Sequence, residues 1–127
     1  MNQKKINFKH FAILNAYLLK NVLSKLFSKK IKIKWPNDLM HNKKKICGIL
    51  QEVVSYNDKK FLVVGIGVNT NIDPKNKGFS STSLKKIMEK NIDNNKVLNN
   101  IKSIYEKFLS KAKNYSYLEL KKKYNNI

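Results

Sequence analysis

The sequence predicts an α+β domain: a mixed, mainly antiparallel sheet flanked by helices. Three observations carry that expectation. Residues 8–27 set apolar side chains at helical spacing, residues 31–70 hold short alternating runs broken by turn-forming residues, and residues 84–124 return to helical spacing. Strands grouped between helices, rather than alternating with them, point away from a parallel-sheet fold.

The first helix is expected over 8–27, with Phe11, Leu14, Leu18, Val22 and Leu26 on one stripe and Lys29 and Lys30 closing it. Residues 31–35 alternate apolar side chains with Lys, as in a strand with one buried face. Pro36, Asn37 and Asp38 form a turn, because Pro presets φ and Asn and Asp bond locally. Residues 39–41 fit a strand, 42–44 a hairpin loop, and 45–55 and 60–70 two strands joined by a turn at 56–59. A loop with Pro74 and Gly78 follows over 71–79. Ser83 caps a short helix over 84–90, and Asp93-Asn94 opens a longer one through Val97, Leu98, Ile101, Ile104, Tyr105, Phe108 and Leu109. A last helix is expected over 115–124.

With 127 residues, 42% of them hydrophobic, the chain makes one domain with one core. No apolar run approaches the roughly 18 residues of a membrane span. His10, Asn15 and Tyr17 interrupt the apolar part of the N-terminus, so no secretory signal is read. The single Cys47 forms no intrachain disulfide and is too little for a zinc site, so a cytoplasmic setting is expected. The formal charge of +19 raises nucleic acid as a partner, yet all 27 basic residues are Lys. Without Arg the usual bidentate contacts to phosphate and guanine are lacking. Loose attraction to polyanions is expected; specific nucleic-acid recognition is not.

Three features are candidates for chemistry. Gly48, Gly65 and Gly67 fall inside predicted strands, where glycine weakens packing. By the two-residue period Gly65, Gly67 and Asn69 share a face, which is either a bare floor for a ligand or a bulge or close helix contact. Lys34-Trp35-Pro36-Asn37-Asp38 either presents an aromatic face beside an amide and a carboxylate, or is an ordinary turn with Trp35 in the core. Lys45 heads the Gly48 strand, but composition does not separate it from Lys43 and Lys44. Cys47 reads as a small buried apolar residue, and His10 and His41 have no partner at metal-ligand or triad spacing.

KWPND (34–38), KKICGIL (44–50), GIGVNTN (65–71) and STSL (81–84) stand in the order and spacing of biotin–protein ligases, the enzymes that biotinylate acetyl-CoA carboxylase. The chain resembles that family over nearly its whole length; lipoate ligases share the broader fold with different motifs. The resemblance implies a biotin/lipoate ligase catalytic-domain fold, present in part, and ATP-dependent ligation in two steps. Biotin's carboxylate attacks the α-phosphate of ATP to give biotinoyl-5′-AMP, and a lysine of a biotin carrier domain then attacks the mixed anhydride. It further implies that Lys45 stabilises negative charge where carboxylate meets α-phosphate and that Asp38 aligns the incoming amine. Gly48 and Gly65 would let biotin lie against backbone. Asn37, Asp38 and Asn69 would hold the nucleotide, and Trp35 would shape the pocket wall. Mg²⁺ would enter with ATP, held largely by phosphates and water.

The family's Gly/Arg-rich loop over biotin and the phosphates has no counterpart in a chain without Arg. Nor are the upstream Ser/Thr and Gln positions, the C-terminal barrel-like domain or an N-terminal DNA-binding helix-turn-helix found. The expectation is a partial catalytic domain over 1–127, weakly active or inactive alone, with an upstream half-domain chain or a second copy as candidate partner. Steady biotin transfer by the pure chain would overturn it. The rival expectations are a non-catalytic or split-enzyme subunit and a basic nucleic-acid-binding module. The latter predicts steeply salt-dependent binding insensitive to Lys45→Ala.

Overall fold

The computed structural model describes residues 8–75, 78–112, 118, 119, 121 and 122. Seven elements follow in chain order: α1 (Phe8–Phe27), β1 (Lys32–Lys34), β2 (Asp38–His41), β3 (Lys44–Tyr56), β4 (Lys59–Val68), α2 (Leu84–Met88) and α3 (Asn94–Ala112). The four strands form one antiparallel sheet in the order β1-β2-β3-β4. The α+β expectation holds in both element order and topology. The helix expected over 115–124 falls largely outside the described residues; the four described there are helical.

Two hairpins make the sheet compact. Asn42-Lys43 joins β2 to β3 and Asn57-Asp58 joins β3 to β4, and all four residues have positive φ. Two-residue loops of that kind match the right-handed twist of paired strands, and Asn and Asp tolerate the conformation best. α1 ends at Phe27 because Ser28 turns into the left-handed region, at φ 51°. Lys29 and Lys30 follow that turn rather than closing the helix. α2 is capped by Ser83, whose hydroxyl accepts from the Lys86 amide. It stops at Met88, two residues short of expectation, as Glu89 adopts φ 57°.

Burial on α1 is wider than the single stripe read from sequence. One side, Ala16, Leu19, Leu23 and Phe27, packs on the inner sheet face with Leu39, Ile46, Cys47 and Ile49. A second side, Leu14, Tyr17 and Leu18, packs on Phe108 of α3. A helix covered by both a sheet and another helix must be apolar over more of its circumference than a surface helix. On α3 only Val97 and Phe108 are buried, and Leu98 and Leu109 lie exposed. A polar relay crosses this layer. The Tyr105 hydroxyl donates to Asn15 Oδ1 (2.7 Å), Asn15 Nδ2 to Gln51 Oε1 (2.8 Å), and Gln51 Nε2 to the Phe8 carbonyl (2.7 Å). Asn15 is fully buried, so these bonds offset its desolvation.

Cys47 is buried on the inner face, as expected for a small apolar residue. Burial pushes its thiol up to about 12 from the ordinary 9.0; Lys45 lowers it and Asp38 raises it, both less strongly. A raised native pKa lends stability that is complete below pH 9.0 and is lost as pH rises toward about 12. Native Cys47 is expected to resist an aromatic disulfide reagent at pH 9.0 and to react promptly in urea. Equal rates in the two states would contradict the burial.

Candidate active site

The sheet has a covered face and an open one. On the open face a single row crosses all four strands: Lys34 pairs with Asp38, Asp38 with Gly48, and Gly48 with Gly67. Directly paired residues point to the same side of a sheet, so cation, carboxylate and two bare positions line up. Next along β3 and β4 on that face is the pair Leu50 and Gly65. Asp38, expected in the turn, is the first residue of β2, which is how it enters this row.

Lys45 reaches the same face through a bulge. Leu39 pairs with Cys47 and Met40 with Lys45, which leaves Ile46 as the extra residue of β3. Strict alternation would put Lys45 and Gly48, three apart, on opposite faces. With the bulge, Ile46 and Cys47 are both buried and Lys45 turns outward beside Gly48. Its Nζ lies 3.1 Å from Asp38 Oδ1 and 4.8 Å from the centre of the Phe79 ring. The side chains of the pair are 25% and 28% exposed, which leaves them accessible to an approaching ligand.

The backbone of Lys45 is held as firmly as its side chain. Its amide donates to the Ser80 carbonyl (2.9 Å), and its carbonyl accepts from the Thr82 amide (3.0 Å). Asn69 Nδ2 also points at the Lys45 carbonyl (3.4 Å) and donates to the Thr82 carbonyl (3.1 Å). The Asn69 amide donates to the Ile46 carbonyl (2.8 Å), beyond the end of β4 at Val68. Asn69 therefore binds the start of β3 to the 81–84 segment, and its amide nitrogen is already engaged.

None of the described glycines has positive φ, so backbone freedom is not what these positions use. They use the missing side chain. A Cβ on Gly48 would meet Lys45 Nζ at 3.1 Å and Cε at 3.2 Å. One on Gly65 would meet only Leu50, at 3.7 Å, and one on Gly67 nothing within 4 Å. Among the described residues no helix comes within 4 Å of a Cβ at these positions, and the bulge lies at Ile46, so the two alternatives to a bare floor fall away at Gly65 and Gly67. Gly67→Ala is expected to leave stability within about 0.5 kcal/mol of the parent, or above it, since the added methyl meets no protein atom. The same methyl stands in the cleft, and a loss of stability on thermal melting would refute the open floor.

Two adjoining cavities open here. The first, about 310 Å³, is lined by Asn37, Asp38, Lys45, Gly48, Leu50 and Gly65 among others. The second, about 260 Å³, lies across Lys45, Gly48 and Gly67 toward Asn69, Pro74 and Phe79. Asn37, Asp38, Lys45, Gly48, Gly65 and Asn69 are thus brought together from a span of sequence running from 37 to 69. Trp35 is not: it lines neither cavity, stands 50% exposed, and meets Tyr17 edge-on at 5.5 Å. Its ring packs on α1, so at this position it is neither a core residue nor a wall of either cavity. Phe79 was missed, because no periodic pattern marks a loop residue. The arrangement suits an elongated ligand whose anionic centre sits at the Lys45–Asp38 junction.

Fold and site together define a domain of one antiparallel sheet under helices, with a lysine–aspartate pair set beside a glycine floor by a bulge. A model of the Biotin/lipoate A/B protein ligase family matches residues 4–69, just over half of the chain. The chain belongs to that family. The bifunctional ligase/repressor BirA of Bacillus subtilis is 36% identical over 80 residues, covering 59% of this chain and 25% of that protein. BirA of Escherichia coli K12 is 40% identical over 53 residues, 41% of this chain and 16% of that protein. Among solved structures, the biotin protein ligase of Aquifex aeolicus in complex with biotin and ATP superposes with a TM-score of 0.78 at 29% identity. That alignment covers 98% of this chain and 53% of the Aquifex chain. The chain thus spans about half of its structural relative and about a quarter of the Bacillus relative it matches.

Proposed function

We propose that this chain contributes the charge-bearing half of a biotin–protein ligase site, joining biotin to a lysine of a biotin carrier domain through biotinoyl-5′-AMP. The observation that carries the reading is the Lys45–Asp38 pair, 3.1 Å apart, between two cavities that share a glycine floor. The Aquifex relative that superposes on the chain holds biotin and ATP. Biotin occupies the first cavity against Gly48 and Gly65, and the nucleotide occupies the second beside Asn69, with Asn37 at the rim.

In the first step a biotin carboxylate oxygen bonds to the α-phosphorus of ATP, and the bond to pyrophosphate breaks. Two anions must be brought together, and the Lys45 ammonium at their meeting point lowers that cost. In the second step the carrier lysine's amine bonds to the acyl carbon and AMP leaves. Asp38 orients that amine and takes its proton. Mg²⁺ would accompany ATP, held mainly by phosphates and water, and Asp38 is the one carboxylate among the described residues lining the two cavities that could reach it.

A second reading is favoured by one further observation. Leu50, Phe61 and Val63 on the open face are 71%, 49% and 45% exposed, in line with the glycine floor. An apolar strip of that kind suits a partner chain that covers the open face and completes the site. The test supplies the full chain with biotin, Mg-ATP and a biotin carrier domain, and reads the carrier by streptavidin blot. Labelling that needs Lys45 supports an active site in this chain. Labelling only after a complementary ligase half is added supports the second reading, and labelling unaffected by Lys45→Ala sinks both.

A further inference from the structure

We infer that Asn71 is a positioning residue that holds the Pro74 side of the second cavity's outer wall, and through it the nucleotide side of the site. The inference rests on the ligase reading for the identity of the two ligands. Pro74 and Phe79 form that wall and come from the segment after β4, whose described residues between Val68 and Ser81 lie in no helix or strand. Its Phe79 end is placed by the bridge of Lys45 to Ser81, and something other than a strand ladder must place its Pro74 end. The Asn71 side chain supplies a substitute: Nδ2 donates to the Ile92 carbonyl at 2.9 Å, and the Ile92 amide donates to Oδ1 at 2.8 Å.

A primary amide carries the same donor and acceptor pair as a peptide group, so Asn71 pairs with Ile92 as a neighbouring strand would. Asp offers only the acceptor half, and Gln is a methylene too long for the same spacing. The anchor is rigid, because Ile92 sits between α2 and α3 with its side chain in the main core. Backbone bonds tie the two ends of the segment: the Lys45 amide donates to the Ser80 carbonyl at 2.9 Å, next to Phe79, and the Leu84 and Lys85 amides donate to the Asn69 and Thr70 carbonyls at 2.8 Å. Between those ends the other side-chain ties among the described residues are exposed. Lys86 Nζ reaches Asp73 Oδ2 at 3.1 Å, and the Ser81 hydroxyl donates to the Pro74 carbonyl at 2.7 Å. Exposed pairs of that kind hold weakly, so the part-buried Asn71 pair carries the placement of the Pro74 side of the wall.

The two cavities separate the consequences. The first is lined by β2, β3, β4 and Asn37, and no described residue of this segment enters it. Loss of the Asn71 pair therefore loosens one cavity and leaves the other as it is. A residue needed only for folding would not distinguish the two.

The experiment measures biotin and Mg-ATP binding separately by calorimetry on the full chain, for the parent, Asn71→Ala and Asn71→Asp. Both variants are expected to bind ATP about tenfold more weakly or worse, with biotin affinity within about twofold of the parent. Limited trypsin digestion supplies a readout that needs no ligand: cleavage after Lys75 is expected to be about tenfold faster in Asn71→Ala. Unchanged ATP affinity, or equal weakening of both ligands, overturns the inference. If the parent binds neither ligand, the reading of this chain as a site that works alone has failed instead. Digestion at Lys75 then decides the placement role alone, and an unchanged cleavage rate overturns it.

Discussion

Lys45→Ala is expected to weaken binding of biotinoyl-5′-AMP by about 100-fold or more while leaving the fold intact. The ammonium sits between two cavities, 3.1 Å from Asp38 and over the Phe79 ring, where a ligand's acyl phosphate would meet it. Removing it takes away one cation and leaves the Asp38 carboxylate unpaired, so the site changes from balanced to repulsive toward an anion. Stability should change little, because both side chains keep access to solvent. The chain's charge of +19 invites a blander account, in which any lysine attracts any anion. Lys43→Ala and Lys44→Ala test it. Both residues are exposed, Lys43 in the hairpin loop and Lys44 at the start of β3. General attraction predicts equal, salt-sensitive losses in all three variants. A built site predicts a large loss at Lys45 alone, and calorimetry with the intact adenylate at two salt concentrations distinguishes the two.

Why Lys45 could not be singled out by pattern alone is itself physical. The three lysines are consecutive, and the strand period would put Lys45 on the face opposite Gly48. The bulge at Ile46 reverses that, and a bulge is decided by tertiary packing: Ile46 and Cys47 are both drawn into the core under α1. Only the family resemblance picked the residue out. Elements with strong periodicity or local turn chemistry were legible, including α1, the two hairpins with their Asn-containing turns, and the Ser83 cap. Residues whose role depends on the third dimension were not. Phe79 and Asn71 lie in an irregular segment with no period to read. Asn69 was legible as a polar end to the glycine face, but its grip on the Lys45 and Thr82 carbonyls was not. Trp35 was read as core or wall and is half exposed on Tyr17, since β1 ends one residue before it.

Phe108→Ala is expected to cost about 3–5 kcal/mol of stability, the largest single loss in the described core. Phe108 is fully buried, packs on Leu14, Tyr17 and Leu18, and meets Phe11 edge-on at 5.8 Å. Truncation leaves a void that two helices cannot both collapse around, because α1 is also fixed to the sheet on its other side. Against a typical domain stability of about 5–15 kcal/mol, the midpoint of thermal unfolding should fall by roughly 10 °C or more. Leu109→Ala makes the control. The next residue along α3 is 53% exposed, and its truncation should stay within about 0.5 kcal/mol. The consequence for the site separates scaffold from chemistry. α3 meets α1, not the open sheet face, so folded Phe108→Ala should keep the Lys45–Asp38 geometry and bind ligand like the parent at low temperature. Its apparent affinity should then fall only as the temperature approaches the lowered melting point. An affinity loss at all temperatures would mean that the α1–α3 layer shapes the cleft directly, through the Tyr105–Asn15–Gln51 relay into β3.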